Sequence, residues 1–94
     1  EGSLDTLPFR IPAATKRRVL ANWAGKLEVE ILDAASGRPI AGFSRGDCLP
    51  AAPGLDIHIR WKGGGYLPAP SRPVVLRFHL SGARTRFHGF RFSS

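Results

Sequence analysis

Leu27-Glu28-Val29-Glu30-Ile31-Leu32-Asp33 is the stretch on which the fold turns. Successive side chains of a strand point to opposite faces. Leu27, Val29 and Ile31 therefore share one face, and Glu28 and Glu30 the other. A strand with one apolar and one wet face belongs to an antiparallel sheet packed on a core. Working outward, the stretch stops at Ala34-Ala35-Ser36-Gly37-Arg38-Pro39, which reads as a turn. Upstream, Arg17–Trp23 reads as a strand joined to it through a short Ala24-Gly25-Lys26 turn. Downstream, Asp56–Trp61 repeats the alternation with Ile57, Ile59 and Trp61 inward. Pro73–Leu80 repeats it with Val74, Leu76, Phe78 and Leu80 inward. In Thr85–Phe92, Phe90 and Phe92 share a face but Phe87 does not, which predicts a bulge or burial on two sides. Ile40–Phe43 is a further short strand, and loops 44–55 and 62–73 are rich in Gly, Pro and Ser.

The eight prolines are spread so that no long helix fits between them. Five or six short strands with Pro/Gly connections predict an all-β fold. An antiparallel β-sandwich of jelly-roll-like form comes first, and a partly open barrel is the alternative. The expected core is Leu27, Val29, Ile31, Ile57, Ile59, Trp61, Val74, Leu76, Phe78, Leu80, Phe90 and Phe92.

At 94 residues the chain makes one small domain, residues 1–94, with residues 1–16 as an N-terminal arm. One cysteine excludes an intrachain disulfide. No apolar run approaches the roughly 18–20 residues of a membrane span. Met is absent and the chain opens Glu1-Gly2-Ser3. We therefore expect a piece cut from a longer chain, its first residues partly foreign to it.

In order along the chain, several segments carry a resemblance. They are Val29–Asp33 with Gly37-Arg38-Pro39-Ile40-Ala41-Gly42-Phe43, Asp47-Cys48, and Arg60-Trp61-Lys62-Gly63-Gly64. Arg72-Pro73-Val74-Val75-Leu76-Arg77-Phe78-His79-Leu80, Ala83 and Phe90-Arg91-Phe92 complete the set. Over residues 18–92 the chain resembles the C-terminal β-sandwich of bacterial proteins whose larger N-terminal part resembles the five-bladed propeller of family-32 glycoside hydrolases. His88 stands where that pattern commonly has Tyr. The resemblance implies an accessory domain, with the catalytic carboxylates in the propeller, so no catalytic residue is carried over.

The residues themselves offer few chemical constellations. His58, His79, His88, Cys48 and the acids have no metal-ligand spacing, so neither a metal nor a cofactor is expected. Asp33, Asp47 and Asp56 border loops that would suit Ca²⁺, the weaker reading. Cys48 lacks the surroundings of a nucleophile and reads as a small buried hydrophobe. Glu28 and Glu30 lie about 7 Å apart on one strand face. Among so many arginines they predict cross-strand pairing with Arg60, His58, Arg77 or His79 rather than glycoside hydrolysis. Gly63-Gly64-Gly65 lacks the helix and Lys-Ser/Thr of a phosphate loop and reads as a flexible connection.

Charge is lopsided. The net charge is +7, and 11 of the 14 basic residues are Arg. Residues 1–47 carry a net +1 and residues 48–94 a net +6. Arg60, Arg77, Arg84, Arg86 and Arg91 form the expected basic surface. Trp23, Trp61 and Tyr66 are the candidates for stacking on sugar faces, although Trp61 continues an inward face. The first functional expectation is a non-catalytic accessory sandwich that packs against a propeller domain of the same chain and contacts glycan. The alternative is a free-standing basic module binding nucleic acid or another acidic polymer, with nucleic acid the weaker partner because no reading motif is present.

Overall fold

A computed structural model of the chain describes residues 2–10, 17–65 and 73–93, apart from the side chains of Ala83, Arg84 and Ser93. Four strands make one antiparallel sheet: β1 (Gly2–Asp5), β2 (Arg18–Asp33), β3 (Gly54–Ile59) and β4 (Val74–Ser93), in the order β1-β4-β2-β3. A 3-10 turn, Arg45–Asp47, interrupts the loop before β3. The all-β antiparallel fold expected from the alternation is the one the chain adopts. Among the described residues no helix is long and apolar enough to cross a membrane.

The strands are fewer and longer than expected. β2 has 16 residues and β4 has 20. Fully extended, they would reach roughly 50 and 65 Å at about 3.3 Å per residue. The molecule's greatest extent is 37 Å, so both strands must bend. They bend together at Gly25. Ala24 pairs with Arg86 and Lys26 with Ser81, so residues 82–85 bulge out opposite the single residue Gly25. The expected Ala24-Gly25-Lys26 turn is thus a corner within a continuous strand. Gly25 has φ +93°, and a Cβ on it would lie 2.5 Å from the Thr85 Cα. Only glycine fits there. Thr85 locks the corner: its Oγ1 accepts from the Lys26 N–H at 3.1 Å and donates to the Ser81 carbonyl.

The corner folds the ribbon into two layers. The first holds β1, residues 74–81 of β4 and residues 26–33 of β2. The second holds residues 86–93 of β4, residues 18–24 of β2, and β3. The Phe78 ring of the first layer lies 4.8 Å from that of Phe87 and 4.9 Å from that of Phe90, both of the second. Phe9, bridged to Val74, reaches Phe92 at 5.3 Å. The expected layered core is therefore enclosed by halves of one sheet.

Val29, Ile31, Ile59, Trp61, Val74, Leu76 and Phe78 are buried, as the alternation requires, Leu27, Ile57, Phe90 and Phe92 pack partly buried against them, and only Leu80 of the expected core is half-buried outside the cluster. Burying each large side chain contributes about 1.5–3 kcal/mol. Val19, Ala21, Trp23 and Phe43 complete the cluster. Phe87 joins it because of a second irregularity: Asn22 pairs with Gly89 but Trp23 with Phe87, leaving His88 as the extra residue. The predicted bulge falls here, and it returns Phe87 to the inner face.

Three local expectations change. Ile40–Phe43 is a turn hung on β2, not a strand: the Ile40 N–H donates to the Ile31 carbonyl and the Ile31 N–H to that of Phe43, each at 2.9 Å. Gly63-Gly64 is a fixed turn rather than a flexible connection. Trp61 and Gly64 exchange two backbone bonds of 3.0 Å, and the Phe43 ring covers Gly63 so closely that a Cβ there would clash at 2.7 Å. Finally, the front of the N-terminal arm is strand β1, with Gly2 opposite Leu80 and Asp5 opposite Arg77. Ile11 and Pro12 of the arm lie outside the described residues.

Candidate functional site

The core cluster fills the space between the layers, which leaves the two outer faces, the sheet edges and the inner side of β1 open to a partner. On the outer face of the first layer, the strand registers set Ser3, His79 and Glu28 in one row and Asp5, Arg77 and Glu30 in the next. Arg77 holds Asp5 with its guanidinium fork, Nε to Oδ1 at 2.8 Å and Nη2 to Oδ2 at 2.9 Å. That bond holds the Asp5 carboxyl below the usual carboxylate value and raises the Arg77 guanidinium. Glu30 is only 8% exposed. Its Oε1 meets His79 Nε2 at 2.9 Å and lies 3.9 Å from Arg77 Nη1, while Oε2 accepts the Arg45 N–H at 3.3 Å. Glu28 accepts from Arg45 Nε at 2.9 Å.

Glu28 and Glu30 therefore do face cations across the sheet, Arg77 and His79 among those expected. Arg60 and His58 are on the other layer, where His58 Nε2 meets the Gly65 carbonyl at 2.6 Å. Arg45 and Asp5 were missed. Neither sits in an alternating run, and no sequence spacing marks a loop arginine that reaches back to a strand.

The outer face of the second layer has a different balance. Leu20 pairs with both His58 and Arg91, and Ala24 with Arg86. Arg60 follows the inward Ile59, so it emerges on the same outer face. Arg60, Arg86 and Arg91 are exposed. Asp56 is the only acid in the three segments of this layer. It accepts from Arg91, Nε to Oδ1 at 3.1 Å and Nη2 to Oδ2 at 3.4 Å. Asp56 has φ +51°, a strained value for a residue with a side chain. Asn22 pins it there, accepting the Asp56 N–H at 2.9 Å. Arg91 first, then Asn22, holds the Asp56 carboxyl below its usual value.

The expected basic surface is thus divided. Arg77 is engaged on the first layer, Arg60, Arg86 and Arg91 share the second, and the Arg84 side chain lies outside the described residues. Two of the three expected sugar-stacking rings are buried in the core and offer no platform. Trp61 is 2% and Trp23 3% exposed. Each occupies an inward strand position, with its indole N–H satisfied internally: Trp61 on the Val29 carbonyl at 2.7 Å, Trp23 on that of Gly25 at 3.2 Å. Tyr66 lies outside the described residues.

Cys48 is half-buried, and its thiol accepts the Val29 N–H at 3.4 Å. Burial pushes the thiol up, away from the reactive thiolate. The three aspartates considered for Ca²⁺ are spent locally. Asp33 accepts the Ala35 N–H, Asp47 the Ser44 hydroxyl and amide, and Asp56 the groups above. Among the described residues no group of three His, Cys, Asp or Glu could hold a metal ion.

No family model, no curated protein and no solved structure matches the chain.

Proposed function

We propose that this chain is a non-catalytic accessory β domain that packs against a larger, propeller-like domain of a glycosidase-like protein. One observation carries the docking part. Leu4 pairs with Phe78 and shares its inward face, yet it is 49% exposed. The second layer ends at β4, so among the described residues no strand stands opposite β1. Leu7, 86% exposed, extends this apolar edge. Domain interfaces within one chain cover surfaces of this kind. The non-catalytic part is supported by Glu28 and Glu30, which are both bound to cations, Arg45 reaching each of them and His79 closing on Glu30. With Trp23 and Trp61 in the core, glycan contact falls to polar and charged side chains.

The test has two steps. The full reading frame should contain propeller-like blades preceding this chain. That upstream part, supplied separately, should then bind the chain, and the Leu4→Asp/Leu7→Asp variant should lose binding while keeping its melting temperature. A reading frame without such blades, or a double variant that binds as well as the parent, overturns the proposal.

A further inference from the structure

We infer that the outer face of the second layer binds an acidic polysaccharide, one bearing uronate carboxylates or sulfates. The inference deepens the glycan-contact part of the proposed function and is independent of the docking part, because Leu4 and Leu7 belong to a different layer edge.

The face presents Arg60, Arg86 and Arg91 to solvent. His58 and Arg91 flank Leu20 on neighbouring strands, about 10 Å apart, and Arg86 lies roughly 13 Å farther along the sheet. Such a strip matches a polymer with recurring charges better than a single small anion. Arginine suits carboxylate and sulfate through its planar fork. Arg91 already makes that contact, with Asp56 as the carboxylate. Asp56, held by Asn22, at the same time offsets part of the charge on this face. On the first layer, by contrast, Asp5, Glu28 and Glu30 neutralise Arg77 and Arg45.

The same face argues for a saccharide over a single-stranded nucleic acid. Nucleic-acid platforms stack bases on exposed rings. Here Phe87, Phe90 and Phe92 pack against the core, and no Phe, Tyr or Trp side chain among the described residues is exposed.

Binding of the 94-residue chain to dextran sulfate, polygalacturonate, neutral dextran and a single-stranded oligonucleotide of matched charge tests this. The two acidic polysaccharides should bind, weakening as salt rises, and neutral dextran should not. Arg60→Ala/Arg86→Ala/Arg91→Ala should lose on the order of tenfold in affinity. Arg45→Ala, on the neutralised face, should lose little. Asp56→Asn should gain about two- to threefold, since it removes the one opposing charge. Asn tolerates positive φ, so the backbone is kept. Circular dichroism confirms that each variant is folded. No binding at low salt, equal losses for Arg45→Ala and the triple variant, or weaker binding by Asp56→Asn overturns the inference. Tighter binding to the oligonucleotide than to either polysaccharide also overturns it, in favour of a nucleic-acid surface.

Discussion

Gly25 has no room for a side chain and no other residue's backbone freedom. A methyl group there meets the Thr85 backbone while the chain holds φ +93°. Gly25→Ala should therefore cost roughly 2–4 kcal/mol, combining backbone strain with overpacking. Urea titration checks it, and a loss under about 0.5 kcal/mol would show that the corner is softer than argued. Cys48 makes the opposite kind of point, a group kept quiet by its surroundings. Burial raises its thiol above the ordinary 9.0, so the folded state favours the neutral form. Its stabilising effect is fully present below that value and fades as pH rises through the higher folded one. At pH about 8 the native chain should react with iodoacetamide far more slowly than the same chain in denaturant. Equal rates would mean that the thiol is open to solvent.

At the scale of elements, one residue sets the phase of the last strand. His88 is the extra residue that lets Phe87 and Phe90 both meet Phe78. Deleting His88 should turn Phe87, or the strand beyond it, to the wrong face and cost several kcal/mol. His88→Ala keeps the residue count and should change stability by less than about 0.5 kcal/mol. Thermal melts of the two variants separate count from chemistry, and similar losses in both would refute the bulge. The odd spacing of Phe87 against Phe90 and Phe92 made this bulge legible, because alternation is local and each residue declares its face. The corner at Gly25 was not legible. A glycine between two alternating runs looks the same whether the chain turns or bends, and only the partner strand's Thr85 distinguishes them. For the same reason Glu30 with His79 could be foreseen from two outward strand positions. Asp56 with Asn22 and Arg91 could not, because it needs a left-handed residue at a break in the β2–β3 register.

Across the whole molecule the acids are few, and three of them hold separate parts together. Asp5 ties β1 to β4 through Arg77, Asp47 caps the 3-10 turn through Ser44, and Asp56 joins β3 to β4 through Arg91. All three carboxyls are held below the ordinary 3.8: by the Arg77 bond, the Ser44 hydroxyl, and the Arg91 bond, respectively. A depressed folded value means that the folded state prefers the charged form. Their contribution is thus complete above the unfolded value and is lost as pH falls through the lower folded ones. With a net charge of +7 already present, each proton taken up also adds to self-repulsion. The melting temperature should therefore fall as the pH drops below about 4, and added salt should soften the fall. Because these groups are exposed, each gives a small share, and the effect is seen only in their sum. The Asp5→Asn/Asp47→Asn/Asp56→Asn variant should start from a lower melting temperature at pH 6 and lose less on acidification, its curve converging on the parent's as the pH falls through the lowered folded values. Parallel curves would mean that these three carboxylates do not carry the acid sensitivity of the fold.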